Sequence, residues 1–265
     1  AHSWHYSYNT INRLTRLTNM ANTLSSTVTH PEHQYWNPVW TLINDFSLGE
    51  KQVKMKGQLY LPMSPHWTAS QYQEYIELAP FTNFSSRTVN ALIGAMFMKK
   101  PLVSLPDSVA YLEENADGKG NGIQQVIRRL AHEVVKLGRA GIYVDYPRID
   151  VQDGARTITL EQSRNAKATL VTYDAPSIVD WDEDEMGLTY VKLREVSRKR
   201  NMISATPQQS KYSQPESPFV LAEKFRELVL EKGEYFVRVI ENNVLVDEYQ
   251  PKINGKPLDH IPFFL

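Results

Sequence analysis

Residues 121–147, NGIQQVIRRLAHEVVKLGRAGIYVDYP, constrain the fold of this chain more than any other stretch. Ile123, Val126, Ile127, Leu130, Ala131, Val134, Val135 and Leu137 recur at the three-and-four spacing of one buried helix face. Arg128, Arg129, His132, Glu133 and Lys136 fall on the remaining surface. Asn121 is placed to cap the start, and Gly138 to take the left-handed conformation that ends a helix. The period then changes. Ile142, Tyr143 and Val144 are strand formers, Asp145 follows, and Pro147 stops the run. A helix therefore feeds a short strand through the joint Gly138-Arg139-Ala140-Gly141, and Leu130 and Val134 are expected in the core.

The flanks are read outward from this unit. Residues 1–30 are rich in Asn, Ser and Thr and read as an exposed arm. Residues 31–48 read as a helix interrupted at Pro38, stopped at Gly49. Val53 with Met55, then Leu59 with Leu61, suggest a strand or extended arm turned at Gly57. A helix is expected from Ala69 to Leu78, broken by Pro80. Another, capped by Asn83 or Ser85, carries Val89, Leu92, Ile93, Met96 and Phe97 on one face and ends at Lys99, Lys100 and Pro101. A short helix from Val109 to Glu114 and a loop over 117–122 lead into the organising helix.

Beyond it strands dominate: Ile158 with Leu160, Leu170 with Val171 and Tyr173, and Ile178 with Val179 and Trp181. The span 177–196 reads as a hairpin turned over Asp182 to Gly187. Residues 197–218 are polar and rich in Pro, Gln and Ser, the composition of a long mobile loop. A second hairpin runs from Phe225 to Ile240 about Lys232-Gly233, followed by a strand at Val244 to Val246 and an extended tail from Ile253 to Phe264. The class is α+β: helical segments packed on short antiparallel strands and hairpins.

Composition narrows function. The chain has 265 residues, 29 basic and 30 acidic, and a net charge of −1. Tight non-specific DNA binding normally needs a clear basic excess. There are no cysteines, which removes disulfides, thiolate metal sites and cysteine nucleophiles. No apolar run approaches the roughly 18–20 residues of a membrane span, so no membrane association is expected. The apolar ending His260-Ile261-Pro262-Phe263-Phe264-Leu265 suggests a sequence that stops mid-fold.

Motifs of chemistry are sparse. A calcium loop begun at Asp117 would need oxygen ligands at its third and twelfth positions, where Lys119 and Arg128 stand. Asp180, Asp182, Glu183, Asp184 and Glu185 form the densest acidic cluster, a pattern that acid–base pairs and metal sites share with solvated hairpin turns. His30 with His33 and His2 with His5 lack metal-ligand spacing, and there is no HExxH, GxSxG, GxGxxG or phosphate-cradling glycine loop. No catalytic residue, cofactor or metal is assigned. The basic residues open to a contact with DNA or a neighbouring subunit are Arg128, Arg129 and Lys136 on the helix and Arg198, Lys199 and Arg200 in the polar loop.

A series of phrases carries a more specific signal. In order they are Gly57-Gln58-Leu59-Tyr60-Leu61-Pro62; Tyr72 and Tyr75 ahead of Ala79-Pro80-Phe81-Thr82-Asn83; Arg87-Thr88-Val89 with Leu92, Gly94, Phe97, Lys99 and Pro101; Gly138 to Pro147; Tyr173-Asp174-Ala175-Pro176-Ser177-Ile178-Val179-Asp180-Trp181; Lys192-Leu193-Arg194-Glu195; and Ile261-Pro262-Phe263. Over roughly residues 30–265 the series resembles the portal, or head–tail connector, proteins of tailed bacteriophages. Leu78 departs from the pattern, which has a basic residue there. The resemblance implies a portal-like wing region, truncated before the stem, clip and crown, in a virion subunit assembled in the bacterial cytoplasm. It implies a homo-oligomeric ring of twelve at the capsid vertex, partnered by the major capsid protein, terminase, a tail adaptor and double-stranded DNA passing through. The residues themselves leave two alternatives: a phage or bacterial hydrolase using acidic residues around Asp180 to Glu185, or another virion adaptor.

Overall fold

In a computed structural model of the chain, the structure describes residues 28–146, 167–200, 219–253 and 256–265. The expected strand at Ile158 and Leu160, and residues 201–218 of the expected loop, lie outside them.

Five α-helices and ten strands make up the described α+β fold, and every strand pairing is antiparallel. The first helix, α1 (Pro31–Leu48), runs unbroken through Pro38. The interruption expected there does not occur. An interior proline costs about 3 kcal/mol, but α1 is anchored on both sides of it: His33 and Trp40 are buried, and the Trp40 indole donates to the carbonyl of Leu137 at 3.1 Å. His30 caps the helix through Nδ1, which accepts from the Glu32 amide, and its ring stacks on Trp181 at 3.9 Å. The end of the expected arm is thus docked; residues 1–27 lie outside the described ones.

The extended reading of residues 51–62 is also overturned. They form α2 (Glu50–Met55) and a 3-10 turn, Gly57–Leu59. Alternation over two residue pairs discriminates poorly, whereas Glu50 and Lys54 stand one helical turn apart with a 2.6 Å ion pair. α3 (Ala69–Leu78) starts with a capping box between Thr68 and Gln71, and α4 (Phe84–Met96) is capped by Asn83. The short helix expected at 109–114 is a 3-10 segment, Asp107–Glu113.

The organising helix is α5 (Ile123–Leu137), ended by Gly138 at φ 76°. Gly122, not Asn121, is its N-cap; the Asn121 amide groups are spent on Asp117. The buried face is turned from the expected one. Val126 and Leu137 are buried, while Val134 and Ile127 are 44% and 37% exposed. The helix rolls so that Leu137 meets Trp40 and Ala175. Leu137→Ala should therefore cost about 2–4 kcal/mol, and Val134→Ala at most about 0.5 kcal/mol, compared by denaturant titration. Equal losses would mean the roll is wrong.

The helix delivers the chain into β1 (Ala140–Asp145), the middle of a three-stranded sheet ordered β10-β1-β2, with β2 (Thr169–Asp174) on one side and β10 (Phe263–Phe264) on the other. A 3-10 turn, Ala175–Ser177, passes the chain to a second sheet ordered β3-β4-β5-β6-β7. Its strands are Ile178–Asp184, Gly187–Arg200, Phe219–Glu231, Glu234–Glu241 and Val244–Tyr249. Both expected hairpins are present. β8 (Lys252–Ile253) and β9 (Lys256–Pro257) form a small separate pair. The main core lies between the sheets: Tyr143 and Tyr173 meet Val191, Leu193, Leu228 and Val237, and Leu258, Ile261 and Phe263 complete the cluster.

Candidate functional site

The six basic residues singled out above fall into two groups. On α5, Arg128 lies over the Phe97 ring at 5.8 Å, Arg129 is 4.0 Å from Asp117 Oδ2, and Lys136 pairs with Glu133 at 2.7 Å. Arg198, Lys199 and Arg200 do not stand in a loop. They extend β4, in register with Leu221, Val220 and Phe219 of β5. The expected loop therefore begins no earlier than residue 201, because alternating residues on both sides of the polar segment pair into one long ribbon.

The acidic cluster is divided. Asp180 is 2% exposed, in register with Lys192, also 2% exposed. The same row continues across the sheet through Glu227, Arg238 and Glu248, so charge alternates strand by strand. Lys192 Nζ lies 3.9 Å from Glu227 Oε1, and Arg238 Nε donates to Glu248 Oε2 at 3.1 Å. Opposed charges of this kind contribute roughly 0.2–1 kcal/mol per pair. Glu183, Asp184 and Glu185 are exposed at the hairpin tip. Among the described residues no group of three His, Cys, Asp or Glu is placed to hold a metal ion. At the rejected calcium loop, Asp117 oxygens accept from the Lys119 amide and from the backbone and side-chain nitrogens of Asn121. Burial alone would raise its pKa, but these donors and Arg129 hold it below the ordinary value.

The densest ionisable network was not singled out in the sequence. Where β1, β2, β4 and β5 meet, Glu195 Oε1 accepts from the Tyr173 hydroxyl at 2.6 Å and from Arg226 Nε at 2.7 Å. Lys224 pairs with Glu195 Oε2 at 3.0 Å. Arg226 also donates to the Tyr249 hydroxyl and lies 3.9 Å from Asp145 Oδ1. Beneath it the Tyr143 and Tyr235 hydroxyls share a 2.9 Å hydrogen bond. Burial raises the pKa of Tyr143, Tyr173 and Tyr235, so these phenols stay protonated and act as hydrogen-bonding partners, not as bases. The one available signal was a charged residue in step with apolar ones at every second position, Glu195 after Val191 and Leu193 and Arg226 before Leu228 and Leu230.

The two carboxylates of the network titrate in opposite senses. Burial would raise Glu195, but Arg226 and its hydrogen bonds hold it below 4.5. Its stabilising contribution is present above that value and is lost as pH falls through the lowered folded pKa. Burial raises Asp145 and outweighs the pull of Arg226, so protonating Asp145 in acid favours the folded state. Glu195→Gln should flatten the acid limb of a thermal-melt series below about pH 4.5, and Asp145→Asn should steepen it. Parallel shifts in both variants would contradict this assignment.

An open cleft of about 600 Å³ lies above the network, between α5, β2, β4 and β5. Of the six predicted basic residues, Arg129 lines it. The cleft presents cations and hydroxyl groups over a floor of paired charges, an arrangement suited to holding an anionic group. No family model matches this chain, and no curated protein matches it.

Proposed function

We propose that this chain is the wing-forming region of a bacteriophage portal subunit: a structural component of a ring at the capsid vertex, through which DNA is packaged and ejected. One observation carries the reading. The phrases that resemble portal proteins between Gly138 and Phe263, distant in sequence, meet at the joints of the fold. Arg139 of the glycine joint lies over the Trp181 ring at 3.9 Å. Val144 donates to the Pro262 carbonyl at 2.9 Å, and Tyr143 pairs with Phe263. Tyr173 donates to Glu195. Asn83, in the earlier phrase, both caps α4 and donates to the Ser47 carbonyl. Matches from distant parts of the sequence that touch one another are better support than the same matches scattered over the surface.

Two further features support the reading. A channel that lets DNA slide should not grip phosphates tightly, and a charge of −1 suits a weak grip. The helical region also leaves Tyr35, Leu78, Phe84, Met96 and Met98 at least 60% exposed, an apolar surface of the kind that contacts between subunits cover. Terminase, the major capsid protein, a tail adaptor and transiting DNA are the partners this proposal carries with it. Electron microscopy of the intact protein is expected to show rings with a central hole. Monodisperse monomers across protein concentration and salt would overturn the proposal.

A further inference from the structure

The cleft above the Glu195–Arg226 network carries its least engaged cations at the mouth. Lys119, Arg129, Arg194, Lys224 and Arg226 line it together with Glu133, Asp174 and Glu195. The deeper charges are paired: Glu195 with Arg226 and Lys224, Arg226 also with Asp145, Arg194 with Glu223, and Glu133 with Lys136, while Asp174 accepts from the Ser177 amide. The cations held least tightly stand at the mouth. Lys119 is exposed there, and the Arg129 side chain is 54% exposed with its carboxylate partner at 4.0 Å. Leu130, Val171 and Val196 add apolar wall.

The same chain carries the complement. At the tip of the β3–β4 hairpin Glu183, Asp184 and Glu185 are exposed, followed by Met186 at 94% exposure. A methionine at such a tip is a flexible apolar group that fits irregular walls. The tip cannot reach its own cleft. Gly187 and Glu195 both lie on β4, eight steps apart along an extended strand at about 3.3 Å each, or roughly 26 Å.

Resting on the ring reading above, we infer that the acidic β3–β4 tip of one subunit docks at the basic mouth of its neighbour's cleft. Donor and acceptor surfaces differ, so the contact is head-to-tail, the kind that closes into rings. Carboxylates meet Lys119 and Arg129 at the mouth, and Met186 lies against the apolar wall. Opposed charges steer the encounter and set its register, and the association weakens as salt rises.

The test uses the intact protein, with sedimentation over a concentration series and electron microscopy. Two charge-reversed forms are made, Lys119→Glu with Arg129→Glu in the cleft, and Glu183→Lys, Asp184→Lys and Glu185→Lys at the tip. All five positions are exposed, and circular dichroism checks the fold; should a reversed form not fold, alanine at the same positions replaces it. Each form alone is expected to associate at least about tenfold more weakly than the parent. Mixed one to one, the reversed pair should reassemble, because every cleft then faces a tip of opposite charge. Rings that form equally well from either variant alone would overturn the inference and leave the ring reading standing. So would folded variants that fail to recover on mixing. A parent protein that never associates would overturn both. Assembly unchanged, with duplex DNA binding lost in the cleft form by fluorescence anisotropy, would make the cleft a phosphate site and overturn the tip contact.

Discussion

Arg226→Met is expected to lower the unfolding free energy by about 2–4 kcal/mol, the cost of removing the main partner of a half-buried carboxylate and less than for a fully buried pair. Arg226 lies 2.7 Å from Glu195 and 3.9 Å from Asp145, and its side chain is 14% exposed. Burial would lower its pKa, but the charge of Glu195 more than offsets this, so the guanidinium stays charged. Methionine keeps the length of the stem and removes the charge. Glu195 would then retain Lys224 and the Tyr173 hydroxyl, and Asp145 would keep only the smaller help of the Tyr143 hydroxyl and Lys224 against the charge of Glu195. Adding Glu195→Gln to Arg226→Met should recover part of the loss, since the unpaired charge goes with it. Denaturant titration of the four proteins gives the coupling directly. A loss below about 1 kcal/mol for the single variant would show that solvent reaches the site and screens it.

Phe263→Ala is expected to cost about 3–5 kcal/mol. Phe263 is 3% exposed and closes the main core from the C-terminal side. Its ring occupies the space a side chain at position 141 would need: a Cβ on Gly141 would lie 2.3 Å from Phe263 Cζ and 3.1 Å from Ile178 Cδ1. Gly141→Ala should therefore cost about 1–3 kcal/mol by overpacking. The two changes should not add. In the double variant the small residue at 263 makes room for the new methyl, so Gly141→Ala should cost far less there than in the parent. Additive losses, measured by thermal unfolding and denaturant titration, would mean that Phe263 and Gly141 do not share this space.

The elements read correctly from the sequence were those whose evidence is local. α3 and α4 have their caps within four residues, and α5 has a long apolar period with a glycine stop. Both hairpins have their turns between their strands. The misreadings have equally local reasons. Two alternating pairs at 53–61 could not distinguish a strand from a short helix held by Glu50 and Lys54. Pro38 marked a break that the burial of His33 and Trp40 overrode. The polar composition after Val196 hid the far ends of two expected strands, β4 and β5, whose pairing extends them through Arg200 and from Phe219. Of the candidate site, Arg129 was legible as an exposed cation. Its role as one wall of a cleft was not, because the other walls come from β2, β4 and β5.

By itself the sequence determined where a buried face or a turn must occur, since periodicity, capping and glycine placement act over a few residues. It also determined that charge would be nearly balanced and thiol chemistry absent. Only the tertiary structure decided what each face meets. Val134 and Leu137 satisfy the same helical period, and the direction of Trp40 chose Leu137. The pairing of Phe263 with Tyr143, and of Arg226 with Glu195 and Asp145, joins residues separated by dozens to more than a hundred positions. A charge inside a strand carries no record of its partner: the energy that makes it tolerable exists only once the two sheets have packed together.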